Sequence, residues 1–270
     1  MAHLPLVEPD DDLIPLLAEA SNEMLDPLVA YITKDKDGSA RWTSALDTLD
    51  VYKKFAPDHH QYFEDIAADI QTFGANGIAT MVRGGKGVPY CEIVHDVAKK
   101  LKVNVYDGMD VAGIEMQILL KILGDAWEKM DEDQKKELLR EIGAKQGSLP
   151  KALPLAAIQV AIRSSGFVAY RIAAIVANAV ARQILGKGLT FAFNQSLMKG
   201  IAVFAGPVGL ALNLVWAMYD IAGPAYRVTI PCVIQIAMIR QQSLITECSN
   251  GHTNAKTAAF CSQCGAKLQD

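Results

Sequence analysis

Apolar positions recur at helical spacing along most of this 270-residue chain. Between Leu13 and Ile32 they fall three or four residues apart, which predicts a helix interrupted near Pro27. The same periodicity predicts helices at Trp42 to Phe55, Asp58 to about Phe73, Pro89 to about Val103, Asp110 to Met130, and 132–142. Because no stretch before residue 245 alternates as a strand would, the pattern predicts an all-α fold with long apolar helices.

Two of these helix starts carry capping residues. Asp58, directly after Pro57, is placed to cap the helix that follows. Asp131 with Gln134 resembles a capping box, with Asp in place of Ser or Thr, and predicts the start of the helix at 132–142.

The segment 155–185 contains no proline and predicts one long helix. On a helical wheel Arg163, Arg171 and Arg182 fall within about 100° of one another, so this helix has a narrow basic face and a wide apolar face. Such a helix suits a membrane interface, where these arginines would face lipid. The alternative is a central core helix whose arginines reach the acidic N-terminal half.

Two further apolar helices are predicted at about 189–205 and 207–222, forming a hairpin around Gly206-Pro207. Within them, residues 200–219 carry no charge, which meets the minimum length for a membrane-spanning helix. A last apolar helix is expected to run to about Gln242, with Pro231 in its first turn.

Asp220 is the only acidic residue between Lys151 and Arg240. A lone carboxylate in apolar surroundings is costly to ionise, so its pKa should rise unless a cation lies nearby. In a membrane helix Asp220 would be a functional candidate. The alternative is a buried ion pair with Arg227 or with an arginine of the 155–185 helix.

Charge divides the chain more sharply than its formal net charge of -4 suggests. Residues 1–150 carry a net charge of -11 and residues 151–240 a net charge of +7. The basic, apolar segment therefore has two candidate partners, anionic lipid or the acidic half of the same chain. Nucleic acid is an unlikely partner because the basic residues are sparse and embedded among apolar ones. Glycine and proline at 143–154 divide an acidic helical region, 1–150, from an apolar basic one, 151–243.

The strongest chemical motif lies in a third region, 246–268. Its four candidate ligands are Cys248, His252, Cys261 and Cys264. Three thiolates and one imidazole on two short knuckles suit tetrahedral Zn²⁺, and filling all four positions favours a structural site over a catalytic one. This cysteine pattern is typical of a reducing compartment, so we expect a cytoplasmic protein. Cys91 and His95 lack a positioned third group, and no other constellation predicts an enzyme.

Two long strings carry a family resemblance. FGANGIATMVRGGKGVPYCEIVHDVAKKLKV and GPVGLALNLVWAMYDIAGPAYRVTIPCVIQIA resemble the bacterial YaaW-like family, and with the segment between them they span roughly residues 73–237. The resemblance implies a bacterial origin and a shared helical architecture, and it transfers no catalytic residue. The C-terminal module resembles a zinc ribbon, with His252 near the usual place of the second cysteine.

These observations lead to two functional hypotheses. The first is a cytoplasmic protein that associates with the inner membrane peripherally or by inserting the 189–222 hairpin, as pore-forming helical proteins do. The second is a soluble chaperone or adaptor that keeps the same helices buried and binds protein partners through the zinc ribbon.

Overall fold

The computed structural model describes residues 7–35, 39–41, 44–75, 87–141, 152, 154–164, 166–189, 204, 206–211 and 226–268. Within them the helices are α1 (Ile14–Glu19), α2 (Asn22–Thr33), α3 (Asp50–Phe55), α4 (Phe63–Gly74), α5 (Tyr90–Lys100), α6 (Val111–Trp127), α7 (Glu132–Glu141), α8 (Leu155–Ser164), α9 (Gly166–Leu185) and α10 (Tyr226–Ser243). Two strands, β1 (Ile245–Glu247) and β2 (Thr253–Ala255), follow α10. The predicted all-α fold is therefore confirmed.

Two helices begin at capping residues, and of these we predicted the cap at Asp131. The Asp110 carboxylate accepts a hydrogen bond from the Gly113 N–H at 2.9 Å at the start of α6. At the start of α7 the Gln134 N–H donates to Asp131 Oδ1 at 2.8 Å, and the Asp131 N–H donates to Gln134 Oε1 at 3.1 Å. Two backbone donors are thus satisfied reciprocally, and the capping box is confirmed.

Both prolines expected to mark helix boundaries lie inside helices instead. Pro27 is buried within α2, and the interruption that we predicted there occurs earlier, at Ala20 and Ser21. Pro231 is the sixth residue of α10 and not part of its first turn. An interior proline costs about 3 kcal/mol in an isolated helix. Here both pyrrolidine rings are buried, and tertiary packing offsets that local cost.

The region between α2 and α4 also differs from the prediction. The helix expected from Trp42 to Phe55 is a 3₁₀ turn at Leu46–Thr48 followed by the short α3. Asp58 does not cap the next turn. Its carboxylate accepts instead from the side-chain amide of Asn22 at 3.1 Å and so ties this loop to α2.

The apolar 155–185 segment is described as α8 and α9, on either side of residue 165. Every side chain from Val168 to Ala181 is buried except that of Arg171. Among the described helices, Phe167–Leu185 alone is long and apolar enough to cross a membrane, and 72% of its most apolar window is buried inside the protein. In this structure α9 is therefore a core helix, packed against α10, α6 and α2.

Helices from the acidic and the basic regions share one hydrophobic core. α10 is buried along most of its length and packs against α2, α4, α5 and α6. At the edge of this core the Arg171 guanidinium donates to the backbone carbonyl of Glu141 and lies 3.6 Å from its carboxylate. One arginine of the basic face therefore reaches the acidic half.

Most of the predicted 189–222 hairpin lies outside the described residues. Phe204 and residues 206–211 are helical, and Phe204 and Val208 are buried. Asp220 is outside the described residues as well.

The two strands anchor the C-terminal module to the helices. They pair antiparallel, with Ile245 opposite Ala255 and Glu247 opposite Thr253. The hairpin contacts α9, and β1 also contacts α10, where Ile245 joins the hydrophobic core. The strands therefore hold the ribbon against the helical body.

Candidate metal centre

The first pair of candidate ligands lies on the turn that joins β1 to β2. The Cys248 N–H donates to the carbonyl oxygen of His252 at 3.0 Å, and the Gly251 N–H donates to the Cys248 carbonyl oxygen at 2.8 Å. Gly251 has a φ of 73°, a left-handed conformation that glycine adopts without steric cost. We call residues 248–252 the first knuckle.

The second pair lies on a similar turn near the C-terminus, residues 261–265, which we call the second knuckle. The Gly265 N–H donates to the Cys261 carbonyl oxygen at 2.9 Å, and the Cys261 N–H donates to the Ala266 carbonyl oxygen at 2.7 Å. Gly265 has a φ of 72°. Each knuckle thus folds its two ligands toward the same side of a tight turn.

The two knuckles bring all four predicted ligands together. Their ligand atoms, the sulfurs of Cys248, Cys261 and Cys264 and a ring nitrogen of His252, lie within 4.8 Å of one another. Cys248 Sγ is 3.6 Å from His252 Nδ1 and 3.8 Å from Cys264 Sγ. Cys261 Sγ is 3.7 Å from His252 Nδ1. This cluster is a candidate site for a metal ion.

Each sulfur also accepts a hydrogen bond from a nitrogen of the ribbon. The N–H groups of His252 and Gln263 donate to Cys248 Sγ and Cys261 Sγ, each at 3.4 Å. The side-chain amide of Asn250 donates to Cys264 Sγ at 3.3 Å. Donors aimed at sulfur favour the thiolate, which is the form that binds metal.

The pKa values of the four candidate ligands are shifted from their ordinary values, and not all in the same direction. Burial raises the pKa of the Cys261 thiol, but hydrogen bonds from the N–H groups of Gln263 and Cys264 outweigh it, and the pKa falls to about 6. The pKa of Cys264 is lowered, chiefly by the N–H of Ala266. Hydrogen bonds to Cys264 and Cys261 raise the pKa of His252. Cys261 and Cys264 thus favour the thiolate, whereas burial raises the pKa of the Cys248 thiol.

Asn254 is a residue of this site that the sequence analysis missed. It lies on β2, is only 5% exposed, and contacts both knuckles. Its amide nitrogen donates to the His252 carbonyl oxygen at 2.8 Å, while its Oδ1 accepts from the N–H of Ser262 at 3.0 Å. The sequence does contain a signal for this role, because Asn254 is a polar residue located between the two ligand pairs.

The proposed membrane-facing residues occupy different surroundings. Arg171 lies against Glu141, with its guanidinium carbon 4.2 Å from the centre of the Phe167 ring. Arg182 is exposed. The side chain of Arg163 and all of Asp220 lie outside the described part of the chain, so the stripe and the Asp220 pair remain predictions.

A buried ionic network in the helical body was not predicted. Glu115 on α6 is only 1% exposed. Its carboxylate accepts from Arg240 Nε at 2.7 Å and from the Tyr90 hydroxyl at 2.7 Å. Arg240 also donates to the carbonyl oxygen of Asp12 at 2.8 Å. Glu115 lies among apolar residues on the buried face of α6. Its position in the helical periodicity could therefore have indicated a buried charge.

Comparison with known proteins gives relatives over most of the chain. Residues 8–42 match the family model described as Domain of unknown function (DUF3944). A UPF0174 protein of Helicobacter pylori strain J99 is 40% identical over 232 residues, which cover 86% of this chain and 91% of the relative. The UPF0174 protein YaaW of Escherichia coli K12 is 33% identical over 243 residues, covering 88% of this chain and 97% of the relative. No solved structure matches.

Proposed function

This chain belongs to the UPF0174 family, and we propose that it is a zinc-binding adaptor that binds protein partners through its C-terminal ribbon. The resemblance to the YaaW-like family is thereby confirmed, and because the family name states no activity, the proposal rests on this chain's own residues. The observation that carries it is the clustering of three thiols and one imidazole on two knuckles.

The spacing of the ligand atoms supports zinc. For bond lengths of about 2.3 Å to sulfur and 2.0–2.1 Å to nitrogen, a regular tetrahedron puts two sulfurs about 3.8 Å apart and a sulfur and a nitrogen about 3.6 Å apart. The separations from Cys248 Sγ to Cys264 Sγ and to His252 Nδ1 are 3.8 Å and 3.6 Å. Thiolate and imidazole ligands also favour zinc over magnesium and calcium, which prefer oxygen.

A structural role fits this ligand set better than a catalytic one. Four protein ligands fill a tetrahedral coordination sphere and leave no position for water or substrate. The ribbon contributes few apolar side chains to the core, so metal binding would provide most of its folding free energy. Zinc-finger peptides gain an apparent ~10–16 kcal/mol from zinc at neutral pH.

The adaptor role follows from what the ribbon leaves exposed. Phe260, directly before the ligand Cys261, is 62% exposed. Exposed aromatic side chains on rigid backbones are typical anchors of protein interfaces. The apolar side chains of α9, in contrast, are mostly buried inside the protein core, so this helix offers little apolar surface to a partner. The ribbon is therefore the favoured surface for a protein partner.

Two measurements test this proposal. Elemental analysis of freshly purified, reduced protein should give one zinc per chain. Affinity enrichment from a bacterial lysate should then compare the wild type with Phe260→Ala and with Tyr106→Ala, a control at an exposed aromatic residue (69%) between α5 and α6. A partner bound by the wild type and the Tyr106 variant, but lost with Phe260→Ala at unchanged zinc content, supports the adaptor. A partner set that is insensitive to Phe260 refutes it.

Peripheral membrane association is a second candidate, and one observation favours it. On α8, Val160 is 66% exposed and Leu155 is 45% exposed, ahead of the basic residue Arg163. Exposed apolar side chains followed in the sequence by a basic residue suit an anionic bilayer surface. Vesicle flotation should show binding to anionic vesicles that weakens with salt, since charges are screened beyond about 8 Å at physiological ionic strength.

The matched variants for that assay are Arg163→Gln with Arg182→Gln, which removes charge, and Val160→Ser, which removes apolar surface. Both should reduce flotation on anionic vesicles. Equal binding to neutral and anionic vesicles would remove the electrostatic argument, and no binding to either would leave the adaptor alone.

A further inference from the structure

The small ribbon contains one buried amide whose hydrogen bonds connect its two halves. Asn254 is 5% exposed and points away from solvent on the second strand. A buried amide is costly unless its donors and acceptors are paired. Both ends of this side chain are paired, and they are paired to different knuckles.

On the first knuckle, the Asn254 Nδ2 donates to the carbonyl oxygen of His252 at 2.8 Å. The same carbonyl accepts the N–H of Cys248, so this bond reaches the backbone that closes the turn. It holds the main chain of a ligand residue without occupying the ligand atom, the ring nitrogen of His252 that faces the sulfurs.

On the second knuckle, the Asn254 Oδ1 accepts from both the N–H and the hydroxyl of Ser262, at 3.0 Å and 3.3 Å. Ser262 is the residue that follows Cys261 and precedes the Gln263 N–H, which donates to Cys261 Sγ. The bond therefore fixes the start of the turn that carries the second ligand pair.

The internal hydrogen bonds of each knuckle fix the ligands within a pair but not the distance between pairs. Tetrahedral coordination requires both pairs at once, so a side chain bonded to both backbones sets the spacing that the metal needs. Such partners of the ligand residues orient them before binding, and their loss typically lowers metal affinity about 10- to 100-fold.

We propose that Asn254 is a positioning residue of the metal centre, which holds the His252 and Cys261 knuckles at tetrahedral spacing through its two-ended hydrogen bond. This inference rests on the proposed zinc site, and it adds a residue that is not itself a ligand.

The test uses the full chain and zinc ion alone, in competition with a chromogenic chelator. Wild-type stoichiometry of one zinc per chain tests the site itself, and the variants test Asn254 separately. Asn254→Ala should lower zinc affinity about 10- to 100-fold while all four ligands remain. Asn254→Asp, which keeps the acceptor for Ser262 but loses the donor to His252, should lose less. Gln263→Ala, an exposed side chain on the same knuckle, should match the wild type.

Cobalt loading separates positioning from general unfolding of the ribbon. At saturating cobalt, Asn254→Ala should reproduce the wild-type thiolate-to-cobalt absorption, because the ligands are intact and only their prior arrangement is lost. Wild-type affinity in Asn254→Ala would overturn the proposal. An equal loss in the Asn254→Asp and Gln263→Ala variants, or a weaker thiolate band at saturation, would overturn it too.

Discussion

Replacing Glu115 with Gln should destabilise the helical body strongly although the side chain barely changes in size. The wild-type carboxylate accepts two hydrogen bonds from Arg240, from Nε at 2.7 Å and from Nη2 at 3.2 Å, and one from the Tyr90 hydroxyl at 2.7 Å. Glutamine has one oxygen and one NH₂ group. If its oxygen stays with Tyr90, its NH₂ faces the Nε–H of Arg240, donor against donor.

The expected loss of stability follows from the hydrogen bonds that Arg240 keeps in the Glu115→Gln variant. The guanidinium keeps its bond to the Asp12 carbonyl oxygen and the long 3.2 Å bond from Nη2 to the remaining oxygen. It loses the short bond from Nε and its counter-ion, in a site where the partner side chain was fully buried. Breaking a buried pair by removing one partner costs about 3–5 kcal/mol. For a protein of this size that corresponds to a fall of about 10 °C in melting temperature.

The converse substitution, Arg240→Gln, should also destabilise the protein, but its loss of stability relative to the wild type should depend on pH in a different way. Burial raises the pKa of Glu115 even with Arg240 beside it, and without Arg240 the pKa would rise further. An acid with a raised folded-state pKa destabilises the protein above that pKa, and the deficit shrinks as pH falls toward the ordinary value of 4.5. Glu115→Gln has no titrating group at this position, and the wild type regains stability as Glu115 takes up its proton, so the deficit of Glu115→Gln should not shrink as pH falls and should grow slightly.

Urea unfolding followed by far-ultraviolet circular dichroism at pH 7 and pH 5 measures both effects. The control is Asp125→Asn, which breaks a partly exposed pair with Lys121 and should cost less than about 1 kcal/mol. Two results would contradict the argument about an unpaired buried guanidinium. The first is a free energy of unfolding for Glu115→Gln within about 1 kcal/mol of the wild-type value. The second is a loss of stability in Glu115→Gln that shrinks at pH 5 in parallel with that of Arg240→Gln.

Three further predictions concern other parts of the chain. Cys261→Ser should release the metal and abolish hydrogen-exchange protection over 246–268 while the helices keep theirs; retained zinc would contradict this. Asp69 is buried and accepts from the Ser44 hydroxyl at 3.0 Å, and burial raises its pKa, so Asp69→Asn should gain stability relative to the wild type as pH rises from about 4 to 7; a constant difference in urea unfolding would argue against it. Asp131→Ala removes half of the capping box and should cost about 1 kcal/mol, measured as faster exchange in α7; unchanged exchange would count against the cap.

Features encoded by a few neighbouring residues could be predicted from the sequence. The cap at Asp131 and the clustering of Cys248 with His252 and of Cys261 with Cys264 each depend on short spacings that fix a turn. Local chemistry alone decides these structures, so the prediction and the structure agree.

Features decided by distant contacts were missed or misplaced. Pro27 and Pro231 lie inside helices because their rings are buried against other elements, a gain that no local propensity contains. The partners of Glu115 lie 25 and 125 residues away, so helical periodicity could mark it as buried but could not name them. The same holds for Asn254, whose role depends on where two knuckles meet.

The bond between Arg240 and the Asp12 carbonyl has a consequence for synthesis on the ribosome. Its two residues are separated by 228 positions, and the core around α9 is completed only by α10. At about 5–20 residues per second, Asp12 is synthesised on the order of 10–50 seconds before Arg240. During that interval the most apolar helices exist without the element that buries them, and the nascent chain is at its most dependent on protection from aggregation.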